Sequence, residues 1–295
     1  MQWSSKRGKI LVVYKIKVVS ICKVYTEIGG TMELGFIGAG NMACAIIGGI
    51  IKSNLINCKD IIASAATQKT IDRVTDEFGI NVTLDNKEVA KADIVFLAVK
   101  PIYCSQVIEE TKNIQAKDSQ IIVSMAAGKS IKWLEDAYGS EKKIIRIMPN
   151  TPALVGEGMT AVCPNKNITE EELGRICKLL ESFGKAEVID ESVMDAVIAV
   201  SGSSPAYVFM FIEAMADAAV AEGMKRDQAY QFAAQSVLGS ARMVLETGKH
   251  PGELKDMVCS PAGTTIEAVR VLEKSGFRSS IMEGIRACAD KSRNM

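Results

Sequence analysis

Histidine is almost missing from this chain: His250 is the only one in 295 residues, and none of the eight cysteines forms a Cys-x-x-Cys pair. That inventory argues against a zinc site, which needs several nitrogen and sulfur ligands brought together. The cysteines (22, 44, 58, 104, 163, 177, 259 and 288) are scattered, and no secretory signal accompanies them. They read as reduced thiols of a cytoplasmic protein. Excess charge is missing too. Lys+Arg and Asp+Glu both total 35, so nothing in the balance recruits nucleic acid or an anionic membrane. A long unbroken apolar run is also lacking. Ala196–Ile212 carries no charge, but Gly202-Ser203-Ser204-Pro205 interrupts it and Glu213 and Asp217 follow. A buried helix of a subunit core is expected there, not a membrane span.

What is present is a soluble composition, 48% apolar and 24% charged, with no repeat or low-complexity tract. Residues 1–31 form an extension in which Lys6, Arg7, Lys9, Lys15, Lys17 and Lys23 break every apolar run. It reads as an upstream addition with Met32 as the natural start, or else as a basic tail or extra edge strand. From Met32, short apolar runs alternate with helical stretches. Strands are expected at 34–37, 60–63, 81–83, 94–99, 120–124 and 144–148, and helices at about 41–53, 68–78, 102–112 and 130–138. A strand (159–163), helix (169–182) and strand (186–189) extend the sheet. This alternation predicts an α/β fold, with a doubly wound parallel sheet over 32–190. Beyond 190, helices alone are expected (192–222, 226–247, 265–274 and 278–291), forming a second domain over 191–295.

Gly38-Ala39-Gly40-Asn41-Met42-Ala43 follows the first strand and opens the first helix. In that setting Gly-x-Gly-x-x-Ala is a dinucleotide turn: Gly38 allows the bend, Gly40 lets backbone approach a pyrophosphate, and Ala43 permits close packing. The second strand runs on through Ser64, Thr67 and Lys69 with no carboxylate before Asp72. An acidic residue there would hold the ribose hydroxyls of NADH. Its absence favours NADPH, with NADH as the alternative, unless Ser64 and Thr67 only cap the next helix. Ala98-Val99-Lys100-Pro101 ends the fourth strand, with Lys100 either along the cofactor or solvated. After the fifth strand, the small residues of Ser124-Met125-Ala126-Ala127-Gly128 would leave room for a nicotinamide ring.

Near the C-terminus stands Ser260-Pro261-Ala262-Gly263-Thr264-Thr265-Ile266-Glu267. Thr264 and Glu267 have capping-box spacing, so a helix is expected from about Thr265 with its first N–H groups uncovered. Such a tip suits a small carboxylate or phosphate, although Thr264 and Thr265 could serve only as caps. His250 reads as a loop residue before Pro251, Cys259 as a packing thiol, and the Met210–Met224 helix as core or dimer interface.

These segments resemble the pyrroline-5-carboxylate reductases. The likeness covers Phe36–Met42, Ala98–Pro101, Met148-Pro149-Asn150-Thr151-Pro152-Ala153, Ser201–Tyr207 and Leu254–Glu273, and runs from Met32 nearly to the C-terminus. The resemblance implies a Rossmann domain that binds NADPH and an all-helical domain that interlocks with a partner into a homodimer or larger homo-oligomer. It also implies hydride transfer to the C=N carbon of Δ1-pyrroline-5-carboxylate, giving L-proline, the last step of proline biosynthesis. By the same likeness Ser260, Gly263, Thr264 and Thr265 hold the substrate, Thr265 lies by the ring nitrogen, Glu191 stands near the substrate, and Asn86 contacts the adenosine end of the cofactor. Ala262 and Met257 depart from the family, which often has Gly and Asn there.

A β-hydroxyacid dehydrogenase would need a helix lysine as acid/base, and no lysine occurs between Lys185 and Lys225. A non-catalytic NADP sensor would have no need for the 260–267 loop. The missing carboxylate after the second strand makes one prediction: steady-state kinetics with each cofactor give a lower KM for NADPH, and a clear NADH preference contradicts the reading.

Overall fold

A computed structural model describes residues 33–114, 117 and 119–294; the extension at 1–31 and the Met32 boundary lie outside the described residues. The first half alternates as expected. β1 (Leu34–Ile37) leads to α1 (Asn41–Lys52), β2 (Ile61–Ser64) to α2 (Gln68–Phe78), and β3 (Asn81–Thr83) to a short α3 (Asn86–Val89). Then β4 (Ile94–Leu97), α4 (Pro101–Thr111), β5 (Ile121–Ser124), α5 (Ile131–Tyr138) and β6 (Lys143–Met148) follow. β7 (Gly158–Pro164), α6 (Glu170–Leu180) and β8 (Gly184–Val188) complete the sheet.

The strand order is β3-β2-β1-β4-β5-β6-β7-β8, parallel through β6, with β7 antiparallel to β6 and β8 parallel to β7. Chain order runs one way from β1 to β3 and the other way from β4 onward, so the switch point lies between β1 and β4. β1, β4 and β5 are buried along their whole length. Each had to be a nearly continuous apolar run because helices cover both faces. Phe36 and Phe96 stack at 4.5 Å across the β1–β4 pair. One cluster, including Ile46, Ile47 and Leu179, covers one face; another, including Val95, Val107 and Leu134, covers the other.

After the sheet come α7 (Met194–Val197), α8 (Ser204–Ala221), α9 (Arg226–Thr247), α10 (Pro251–Val258), α11 (Thr264–Lys274) and α12 (Phe277–Arg293). The single helix expected over 192–222 is instead three pieces, with a π-helical turn at Ile198–Gly202 between α7 and α8. The cause is chemical. Pro205 has no N–H to return to the Ser201 carbonyl, and that carbonyl takes Asn150 Nδ2 at 3.1 Å instead. Ser203 N reaches back five residues to Ile198 O at 2.8 Å, and Ser204 Oγ donates to Val200 O at 2.6 Å. Burial also differs from expectation. Over Glu191–Ala221, long and apolar enough to cross a membrane, only 11% of the most apolar window is buried within one chain. Phe209 and Met210 are 63% and 68% exposed, so the helix is not a core helix of the single chain.

Two short helices escaped the sequence pattern, α3 and α10. The second starts at His250, whose Nδ1 accepts from Gly252 N at 3.0 Å, so the lone histidine is a helix cap.

At the sheet margin Thr169 and Glu172 form a reciprocal capping box, and Glu172 Oε1 also receives Lys143 Nζ at 2.5 Å. Burial pushes the Glu172 carboxyl up, but hydrogen bonds from Lys143 and Thr169 outweigh it and hold the group below its ordinary 4.5. A lowered folded-state value means stability that is complete above pH 4.5 and lost as pH falls through the folded value. Glu172→Gln keeps the cap acceptor and removes the charge. Urea unfolding of this variant at neutral pH is predicted to show a loss of about 1–3 kcal/mol. The gap closes as pH drops below 4.5, and a gap independent of pH contradicts the assignment.

Candidate functional site

Register brings the cofactor candidates to one edge. Ile37 lies beside Ser64 and Leu97, and Leu97 beside Ser124, so four strand ends form a row. The segments Gly38–Met42, Ala98–Pro101 and Met125–Ala127 all leave the sheet from that row, at the switch point. Ala98 N still bonds Ile37 O at 2.9 Å although β4 stops at Leu97, two residues short of the expected end, where the chain turns into Lys100-Pro101.

Gly38 sits at φ +100°, and a Cβ there would come within 2.8 Å of the Ala98 carbonyl oxygen. Only glycine makes this bend. Gly40 is the N-cap of α1 with no side-chain cap, and a Cβ built on it would meet nothing within 4 Å. The first turn of α1 thus has no side-chain cap, and the backbone at Gly40 is open to close approach, which fits a pyrophosphate seat. No acidic residue occupies that first turn. Ala39 and Ala43 are buried and let helix and strand close up.

Ser64 is occupied in holding the turn. Its Oγ accepts from Gly38 N at 3.2 Å and donates to Asn86 Oδ1 at 2.7 Å, while Asn86 Nδ2 donates to Glu110 Oε2 at 3.0 Å. Thr67 is the residue that caps the following helix. Lys100 is exposed at the N-cap of α4 with Pro101 in the first turn, and Ala126 is buried against the sheet. Sequence reading passed over Arg73, whose Nη2 lies 3.4 Å from Ala39 O and whose Nη1 pairs with Glu77 at 3.2 Å. A cation reaching the glycine turn from α2 carried no local motif.

The second anion-binding candidate is the start of α11. Gly263 N bonds Ser260 O at 3.0 Å around Pro261 and Ala262, the latter at φ +57°. Proline second and a left-handed residue third is the pattern of a type II turn, and alanine strains a place that suits glycine. A Cβ on Gly263 would collide with Ser260 Oγ. The expected capping box is absent. Gly263 is the N-cap without a side-chain bond, Thr264 is already helical, and Glu267 turns forward to Arg270 Nε at 3.0 Å. With Gly263 as the N-cap, the third helical position is Ile266, and Glu267 lies one residue beyond the place a capping box needs. The first amides, at Thr264 and Thr265, are consequently free of protein partners at the cap. α11 packs on α12, and its tip belongs to the helical half of the chain.

Glu191 is placed at the junction between the halves. Its Oε1 accepts from Arg146 Nη1 at 2.6 Å and from Ile131 N at 2.8 Å. The sequence signal for this was a lone arginine inside the apolar run Ile144-Ile145-Arg146-Ile147-Met148, buried in the structure. Cys163 lies alongside. Burial, then the Glu191 carboxylate, push its thiol up to about 11 despite Arg146, so it stays protonated.

Family comparison finds two matches: "Pyrroline-5-carboxylate reductase dimerisation" over residues 191–295 and "NADP oxidoreductase coenzyme F420-dependent" over residues 33–128. The chain is 53% identical over 264 residues to the pyrroline-5-carboxylate reductase of Escherichia coli (strain K12), covering 89% of this chain and 98% of that one. Among solved structures, a pyrroline-5-carboxylate reductase from Coxiella burnetii superposes with a TM-score of 0.83 at 32% identity, covering 90% of this chain and 98% of the other. The Plasmodium falciparum pyrroline carboxylate reductase with NADP bound gives 0.81 at 34% identity, covering 89% and 97%.

Gly38→Ala is the sharpest test of the turn. Left-handed strain of about 1–2 kcal/mol adds to the clash with the Ala98 carbonyl. The KM for the reduced cofactor is predicted to rise about tenfold or more; an unchanged cofactor KM contradicts this geometry.

Proposed function

The chain belongs to the pyrroline-5-carboxylate reductase family, and from that premise we propose how its own residues divide the work. The enzyme is an NADPH-dependent oxidoreductase that reduces Δ1-pyrroline-5-carboxylate to L-proline, the last step of proline biosynthesis. NADPH, when bound, supplies the hydride, and the protein supplies position and electrostatics.

On the sheet side, the amides following Gly38, Ala39 and Gly40, with those of Asn41 and Met42, take the pyrophosphate. Ser64 and Asn86 shape the turn next to the adenosine end. Ala98, Val99, Lys100 and Pro101 border the cofactor, and Met125, Ala126 and Ala127 leave space beside the nicotinamide. On the helical side, Ser260 and Gly263 form the rigid turn, and the Thr264 and Thr265 amides bind the substrate carboxylate. The Thr265 hydroxyl orients the ring nitrogen. The observation that carries this division is the uncapped start of α11 behind the Ser260–Gly263 turn.

A cyclic imine that arrives protonated takes hydride at carbon and keeps its N–H, so no strong general acid is demanded. Fixing two reactants at near-attack distance is worth roughly 7–11 kcal/mol in favourable cases. The domain boundary is proposed near 190, supported by the last strand ending at Val188 and the dimerisation match beginning at 191.

The dimerisation match supports a homo-oligomer. We assign the exposed apolar faces of α8 and α9, including Phe209, Met210 and Phe232, to a second copy of the chain. A separate groove of about 360 Å³, lined by Met159, Ile189, Val193, Val197 and Val200, lies where β7 and β8 meet the segment before α8. A homodimer or larger assembly follows from this reading, and its proposed location, the cytoplasm, rests on the scattered, unpaired cysteines.

Thr265→Ala tests the site directly. NADPH oxidation dependent on pyrroline-5-carboxylate should fall about tenfold or more in kcat/KM. A variant with wild-type kinetics removes the role, and a wild-type enzyme inert toward this imine acid removes the function.

A further inference from the structure

Two donors from the sheet half converge on one oxygen of Glu191. Arg146 Nη1 and Ile131 N both reach Oε1, at 2.6 and 2.8 Å. Ile131 is the first residue of α5, capped by Ser130. α5 is entered directly from the loop after β5, the one bearing Met125, Ala126 and Ala127. That loop is anchored at its other end by Ser124 Oγ, which accepts from Ala126 N at 3.4 Å. Ala127, Ile131, Ile189, Val197 and Ile198 then pack on the buried Met148, Ala161, Cys163 and Met194. The first residue of the helical half thus grips the far end of a loop on the sheet half, across a small shared core.

The geometry points to Glu191 as a positioning residue: it fixes the nicotinamide-side loop through the Ile131 amide and Arg146, without touching substrate. The inference rests on the assignment of that loop to the nicotinamide. Because both bonds end on one oxygen, reach matters more than charge. A glutamine at 191 presents the same Oε1 to both donors. An aspartate keeps the charge but is about 1.5 Å too short to serve both. A carboxylate that acted on the substrate would show the opposite order.

The measurement is kcat and KM for pyrroline-5-carboxylate and NADPH on the intact oligomer, with thermal midpoints. Glu191→Asp and Glu191→Ala are expected to lose about tenfold in kcat, with the KM for the imine acid within about twofold of wild type. Glu191→Gln is expected to stay within about threefold in kcat. Ile131→Pro deletes the amide donor at a first-turn position that tolerates proline, and leaves Arg146 and Glu191 paired. It is expected to repeat the kcat loss of Glu191→Asp, and gives the reading should Glu191→Ala fail to fold. Full activity in Glu191→Asp with a raised imine-acid KM in Glu191→Gln overturns the inference in favour of substrate contact. Lower midpoints with unchanged kcat in all four variants overturn it in favour of a purely structural pair. A wild-type enzyme that does not reduce the imine acid is a failure of the function itself, and is seen before any variant is made.

Discussion

Apolar surface left uncovered by the helical half is the constraint on which the rest depends. α8 and α9 pack on each other, yet Phe209, Met210, Phe232 and Leu245 remain well exposed within one chain. Exposed apolar side chains of this size are costly in water at about 25 cal/mol per Å². The family match over 191–295 supplies the remedy, because a second copy can cover it. Placement of the α11 tip is then a property of the assembly as much as of the chain. The two candidate anion-binding elements, Gly38–Met42 and Ser260–Thr265, are each well formed and sit on different halves.

Two buried polar residues, Arg146 and Asn150, stand between the halves. Asn150 takes its amide hydrogens to Ser201 and accepts from Met159 N at 2.8 Å, tying the π turn to the start of β7. The bonds to Glu191 tie β6 and α5 to the first residue of the helical half. Such groups are worth keeping only if they fix a geometry, since a buried ion pair by itself adds little stability. Here they orient the helical half relative to the row of strand ends where the cofactor segments emerge.

Much of this was legible in the sequence, and the reasons are local. β1 and β3 begin and end where the apolar pattern does, and the glycine turn needed only its own residues and the strand before it. Most of what escaped depended on distant partners. The break in the 192–222 helix was visible as Pro205, but the π turn that accommodates it needs Asn150, 51 residues away. The capping box at Thr264–Glu267 had the right spacing and failed because the helix starts one residue early, with Gly263 as the N-cap after the Ser260–Gly263 turn. Glu191 was marked only by resemblance; its partners lie 45 and 60 residues back, beyond any periodicity argument. The expectation of a buried helix over Ala196–Ile212 differed from the single chain because an apolar helix reads alike whether its cover is its own chain or another copy.

The central claim is that a small carboxylate is pinned by the amides at the head of α11 while its ring faces a nicotinamide held at the glycine turn. A crystal structure of the oligomer with NADP⁺ and L-proline tests this most directly. The account predicts the proline carboxylate on the Thr264 and Thr265 amides, and the ring CH₂ next to nitrogen, the one not bearing the carboxylate, within about 3.5 Å of the nicotinamide C4. Proline bound elsewhere, or an α11 tip turned away from the glycine turns of every copy, contradicts it.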